Sequence, residues 1–358
     1  MMIDWLTCRI GLPKKLPAHI VGGHQIRVDE DGHVERSFPL RKSVAGSFES
    51  SLTVRAPCVY EVEVSGNCAK FLQGHNLYGP SDPAELLWAT LQRLEALGIF
   101  GCSLADIGLS SRAMMTTCTR VSRVDCTSML MAETMADVLG TLRHLRVNGR
   151  LRNRGRSGLP QAFERGHGVT FGAGKGKTAQ HRSITFYSKG EETRLPTHRI
   201  ADVLANDSEV MLWVDRSLRC EVRLGAKYLA KTGLRELMEW DRETAAKEWM
   251  SVMERVDTNG AQLRPETVDD LPDHLRLAFG SWRSGEDLKS ILPHRKFYRY
   301  RRAILEAVGV DIAIPMPKEP TSNVVPFREV IRLEPAGRPP WAVRIDRELR
   351  AQGATVFG

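Results

Sequence analysis

Four short stretches of this chain alternate apolar and polar side chains with a period of two, a pattern that commits them to a half-buried β-sheet. In Cys58 to Ser65, Tyr60, Val62 and Val64 fall on one face and Glu61, Glu63 and Ser65 on the other. In SRVDCTS, Arg123, Asp125 and Thr127 oppose Val124 and Cys126. Ser183, Thr185, Tyr187 and Lys189 oppose Ile184 and Phe186, while Arg219, Glu221 and Arg223 oppose Leu218, Cys220 and Val222. The apolar faces predict a core under the sheet; the polar faces carry acids, bases and hydroxyls.

Helical spacing fills the intervals. Ala84 to Leu97 puts Ala84, Leu87, Leu91 and Leu94 on one stripe with Gly98 as its stop, and Ala132 to Val147 does the same with Met135, Val138, Leu142 and Leu145. Gly168 to Phe171 and Ser183 to Lys189 read as a hairpin, with a helix over Arg199 to Ala205 before the Leu218 to Leu224 strand. The fold class is therefore α+β, an antiparallel sheet covered by helices on one face. Past Gly233 the chain reads as helical, clearest over Leu234 to Val256 and Lys296 to Val308, and from Ala313 it is Pro-rich and reads as an extended tail over the domain. We divide it into a sheet domain, residues 1–240, and a helical region with that tail, residues 241–358.

Composition narrows the setting. Seven cysteines without a CxxC or a zinc-like Cys/His spacing argue against a disulfide framework and fit a reducing cytosol. Neither a signal peptide nor a membrane span is expected. A net charge of +8 suits a polyanion. Between Arg143 and Arg156 lie six arginines and no acid, in a glycine-containing stretch that reads as a mobile phosphate-tracking loop carrying Arg150, Arg152, Arg154 and Arg156. Arg295 to Arg302 interleaves Phe297, Tyr298 and Tyr300 with cations such as Arg295 and Arg299; the aromatics suit either stacking on unpaired bases or a helix core. GAGKGKT, from Gly172, has Phe171 where a phosphate loop needs glycine and leads into a strand, so an ATPase site is rejected; Lys175 and Lys177 read instead as a basic hairpin touching DNA.

Taken singly, each polar face reads as solvated surface. Together they supply carboxylates for a divalent cation, arginines for phosphates and a tyrosine beside a lysine, the parts needed to cleave a phosphodiester covalently. Asp125 and Glu221 are the leading oxygen ligands for Mg²⁺ or Mn²⁺, with Glu63 a weaker one; the alternative is ion pairing with Arg123, Arg219 and Arg223, which are also candidate DNA contacts. His75 reads as a ligand or as a histidine that organises its turn. Lys189, read on the same face as Tyr187, could lower the phenol's pKa or neutralise a phosphate.

Six segments carry a resemblance: AKFLQGHNLYG from Ala69, RVSRVDCT from Arg120, HRSITFYSKGEE from His181, LRCEVRLGAKYLAKTGL from Leu218, FYRYRRAILEAVGVDI from Phe297 and SNVVPF from Ser322. In these, and in their order, the chain resembles the filamentous-phage plus-strand replication initiators, the gene-two class of the coliphages. The resemblance implies site-specific nicking and closing of the phage origin in the host bacterial cytoplasm, with the family's nucleophile on Tyr187, and host helicase, polymerase and single-strand-binding protein as partners. It also implies kinship with the broader rolling-circle nucleases. Those bind metal through a His-hydrophobic-His pair, of which Gln73 to His75 offers one histidine. Tyr228, just beyond the Glu221 strand, is the rival nucleophile. Two other functions remain open to the residues: an origin-binding regulator without catalysis, and a metal nuclease that uses water.

Overall fold

The computed structural model describes residues 1–17, 24–39, 41–46, 50–153, 156–158, 161–162, 167–172, 181–257, 271–308, 312–313 and 334–357. Its centre is an antiparallel sheet of ten strands: β1 (Met2–Gly11), β2 (Lys42–Ala45), β3 (Ser51–Cys58), β4 (Glu61–Gly66), β5 (Thr119–Met131), β6 (Gln161–Ala162), β7 (Gly168–Phe171), β8 (Arg182–Ser188), β9 (Ser217–Gly225) and β10 (Glu334–Pro335). The order across it is β6-β7-β8-β9-β5-β1-β4-β3-β2, and β10 pairs with the end of β5, beyond the reach of β1. The longest strands sit centrally, where both edges are paired.

The apolar face is roofed by helices that the chain punctuates clearly. Helix α1 (Cys68–Gln73) precedes α2 (Pro83–Ala96), which starts where Asp82 accepts from the amides of Ala84 and Glu85 and Pro83 opens the first turn. It ends at Gly98, whose φ of +69° lets the Ile99 amide reach the Leu94 carbonyl at 3.0 Å. Helix α3 (Met135–Asn148) carries a reciprocal Thr134/Asp137 capping box. Leu87, Leu91, Leu94, Val138, Leu142 and Leu145 all enter the main core against Ile3, Cys126, Ile184 and Val222. The seven cysteines are all free.

Several expectations change. Cys58 to Ser65 is not one strand: β3 and β4 meet in a turn there, so Tyr60 leaves the core face and is 52% exposed. Leu234 to Val256 holds only α7 (Thr244–Met253) after α6 (Ala226–Thr232), because Asp241, Glu243 and Thr244 cap a fresh start. A helix α5 (Ser208–Asp215) appears where none was read, and only Asp202–Ala205 is α-helical in the preceding stretch. Helices are not confined to one face. Met129, on the polar face, joins Leu77, Ile200, Val214, Trp341 and Ile345 in a second core, because the tail from Glu334 returns to the sheet and forms α10 (Ala342–Ala351) rather than staying extended. A third core binds α8 (Asp273–Arg283) to α9 (His294–Val308) through Phe279, Trp282, Phe297, Tyr300 and Ile304. No helix among the described residues is long and apolar enough to cross a membrane.

Candidate active site

The polar face is set by register. Tyr187 on β8 lies opposite Arg219 on β9, which lies opposite Met129 on β5; the next rows are Thr185, Glu221 and Thr127, then Ser183, Arg223 and Asp125. The four-strand reading thus brings Tyr187, Glu221, Arg223 and Asp125 onto one continuous surface. A cleft of about 250 Å³ opens over them, bordered also by Asp4, Trp5, Asn76, Lys189 and Glu192.

Asp4 and Trp5 enter through an irregularity. Ile3 faces Cys126 and Trp5 faces Asp125, so Asp4 is an extra residue in β1. Such a bulge re-aims a side chain: Ile3 and Leu6 both stay in the core while Asp4 and Trp5 both border the cleft. Neither was expected from the sequence; the available signal was two core residues three apart in a segment that alternates from Leu6 onward.

Asp4 anchors the deepest ion pair. Arg219 is fully buried; its Nη2 lies 2.7 Å from Asp4 Oδ2, its Nε donates to Glu221 Oε1 at 2.8 Å, and its Nη1 donates to the Asn76 carbonyl. Asn67 and Asn76 donate to Asp4 Oδ1 at 2.6 and 3.2 Å. Burial pushes the Asp4 acid up, Glu221 and Asp125 add like charge, and Arg219 pulls it down. Arg219 was expected to touch DNA; with its guanidinium enclosed by these partners it is instead an internal brace. Arg123 and Arg223 do border the cleft, both on Asp125: Arg123 Nε donates at 2.9 Å and Arg223 Nε lies 3.4 Å away. Arg123 also rests 4.2 Å above the Trp5 ring.

The Tyr187 hydroxyl donates to Glu221 Oε1 at 2.5 Å. Burial pushes this phenol well above its ordinary pKa, with Arg219 pulling the other way. Lys189 does not continue the strand. Ser188 caps a short helix α4 (Lys189–Thr193), and Lys189 Nζ reaches Asn76 Oδ1 at 2.9 Å and Glu192 Oε2 at 2.5 Å. It lines the cleft as half of a buried pair with Glu192, an acid the sequence reading left out. Burial raises the Glu192 acid, but Lys189 and Arg219 outweigh it and hold it below the usual carboxylate value.

The other candidates lie elsewhere. Glu63 pairs with Arg55 at 2.6 Å and Arg9 at 3.3 Å and does not border the cleft. His75 is fully buried outside it; its Nδ1 accepts from the Leu77 amide at 3.3 Å, and burial, then Lys189 and Arg338, lower its pKa to about 3. That is a neutral, turn-organising histidine. Tyr228 sits on α6, on the opposite side of the sheet, and donates to Glu248 at 2.7 Å. Arg150, Arg152 and Arg156 fall in two short paired strands, Arg150–Asn153 and Arg156–Gly158, where a loop was expected. Arg154, Lys175, Lys177 and the SNVVPF segment lie outside the described residues. Arg295 and Arg299 are exposed on α9, while Phe297 and Tyr300 are core and only Tyr298, 41% exposed, remains available for stacking.

The cleft's donor set suits a hard cation: Asp4, Asp125 and Glu221 are mutually repelling carboxylates around one opening. Among the described residues, the one triad whose ligating atoms all lie within 4.8 Å of one another is elsewhere, Asp29, Asp31 and His33 in an exposed turn. The cleft acids are spread by their arginines.

Comparison with known proteins follows the same outline. A structure of a rolling-circle replication initiator protein from Geobacillus stearothermophilus aligns with 65% of this chain and 77% of its own at 13% identity, with a TM-score of 0.26, too loose an overlap to bear on the fold. The gene-two replication-associated protein of Enterobacteria phage I2-2 is 29% identical over 347 residues, 94% of this chain and 95% of that one. The family model for the N-terminal region of this replication-associated protein matches residues 2–243, the part that builds the cleft, and that for its C-terminal region matches residues 263–345. The chain belongs to the family of the phage gene-two replication-associated proteins.

Proposed function

We propose that this protein nicks one strand of its phage origin with Tyr187 and retains the cut end as a 5′-phosphotyrosine. The observation that carries the reading is the 2.5 Å hydrogen bond from the Tyr187 hydroxyl to Glu221, inside a cleft that also offers Arg123, Arg223 and Asp125. A phenol with a raised pKa is a poor nucleophile until a base takes its proton, and Glu221 is already in place to do so. The phenolic oxygen then attacks phosphorus in line and the bond to the 3′ oxygen breaks. The freed 3′-OH would prime a host polymerase, and a second transesterification, nearly neutral in bond energy, would close the displaced strand.

Arg123 and Arg223 are tied to Asp125 in the free protein; a phosphate entering the cleft would draw them to its oxygens. A divalent ion, Mg²⁺ or Mn²⁺, held by Asp125 and Glu221 with Asp4 beside them, would neutralise charge on the phosphoryl group. Exposed arginines on α9 and the Arg150–Asn153 hairpin would hold flanking phosphates. Host helicase and single-strand-binding protein would open and coat the strand.

Supercoiled DNA carrying the phage's own origin, incubated with the protein and Mg²⁺, tests the reading. Wild type and Tyr228→Phe should give nicked DNA covalently attached to protein, and Tyr187→Phe should give neither nick nor adduct while staying folded. A free 5′-phosphate with no adduct would assign the cleavage to water.

A further inference from the structure

A second cavity, of about 370 Å³, lies beside the cleft on the same face of the sheet. Its floor is Thr127 and Met129 of β5, the register partners of Glu221 and Arg219. Arg219 in turn pairs with Tyr187, so floor and nucleophile are two strand spacings apart, about 10 Å. Two aromatic walls, Tyr78 and Trp213, are each fixed edge-on against Trp341, with centroids 5.8 and 5.7 Å away. The rim carries Arg338 and Arg242, the latter exposed and without an acidic partner among the described residues.

The chemistry of this cavity is specific. Its walls offer flat apolar surface, its rim positive charge, and its floor a fully buried Thr127 hydroxyl with no hydrogen-bond partner among the described residues. A buried hydroxyl left unpaired is a cost that a polar ligand edge would remove. We propose that this cavity receives one unpaired nucleotide of the strand whose phosphate lies over Tyr187, with the base between Tyr78 and Trp213 and its polar edge on Thr127. The assignment rests on the nicking reading above and extends it. A pocket of this size admits a nucleotide turned out of the stack but not a base pair, so the strand must be opened before it is cut. The tail supplies part of the enclosure through Ala336 and Phe357, making residues from the far end of the chain a component of substrate recognition.

A sequence-neutral probe tests this without knowledge of the origin. A short oligothymidylate carrying 5-iodouracil, photo-cross-linked to the full-length wild-type protein, should label peptides containing Tyr78 or Trp213. Met129→Trp fills the floor and should weaken oligothymidylate binding about tenfold or more, the worth of one stacked base. Thr127→Val preserves shape, guards against a folding failure in the first variant, and should weaken binding in the same direction. Cross-links confined to other peptides, or unchanged affinity in both folded variants, overturn the proposal. The Tyr187 adduct assay is a separate readout: loss of the adduct with cross-links still in the cavity removes the nucleophile and leaves the nucleotide site standing.

Discussion

Replacing Arg219 with methionine removes the one cation that Asp4 and Glu221 share in the interior. Stripping a buried ion pair of one partner costs about 3 to 5 kcal/mol, because the remaining charge is left without compensation. The lower end applies here. Asp4 keeps the amides of Asn67 and Asn76, and Glu221 keeps the Tyr187 hydroxyl. A loss of about 3 kcal/mol in a domain of this size lowers Tm by roughly 6 to 12 °C. The pH dependence is the sharper test. Asp4 already has a raised pKa, and without Arg219 it rises further. An acid raised on folding loses stability as pH climbs from its unfolded value, about 3.9, through its folded one. The penalty should therefore be full near neutrality and shrink on acidification. Thermal unfolding followed by circular dichroism at about pH 7.5 and about pH 5 measures both quantities. A drop of less than about 2 °C near neutrality, or an equal drop at both pH values, would refute the brace assigned to Arg219.

Asp125→Asn should abolish cleavage while duplex affinity changes by less than about threefold, since cations and not this acid set the phosphate term; wild-type cleavage in excess chelator would remove the metal requirement. Alanine at both Arg295 and Arg299 should flatten the salt dependence of duplex binding by up to roughly 0.9 in logarithmic slope per lost contact, and an unchanged slope would return α9 to plain solvated surface. Glu192, held below the usual carboxylate value of 4.5, contributes stability present above its unfolded pKa and lost as pH falls through the folded one. Glu192→Gln should therefore reduce the loss of Tm on acidification below about pH 4.5, and an acid limb identical to wild type would show that the Lys189 pair adds nothing.

The alternating strands were legible because each of β5, β8 and β9 buries one face and keeps period two without interruption. That is why Tyr187, Glu221, Asp125 and Arg223 came together as the sequence suggested. Asp4 escaped because a bulge breaks the period in β1, and a strand with an extra residue does not declare which side chains share a face. Lys189 was placed on a strand that Ser188 had already ended with a cap; a serine followed by Lys-Gly-Glu-Glu signals a helix start as well as a strand end. The division of labour among the arginines could not be read at all. Arg219, Arg123 and Arg223 are chemically alike, and only the depth of the surrounding packing makes one a brace and the others candidates for phosphate.

The docking of β10 and α10 has a consequence for how the protein is made. Strand β5 is complete by residue 131, yet the strand that pairs with its last residues is Glu334–Pro335, and the helix that covers Tyr78 and Met129 begins at Ala342. A chain leaving the ribosome exposes that unfinished edge and its apolar neighbours while some two hundred further residues are added. The helical unit around Phe279 and Phe297 emerges in between, with a core of its own. The enclosed face beside Tyr187 can then form only when synthesis is nearly over, so fragments released early would carry the cleft residues without their cover.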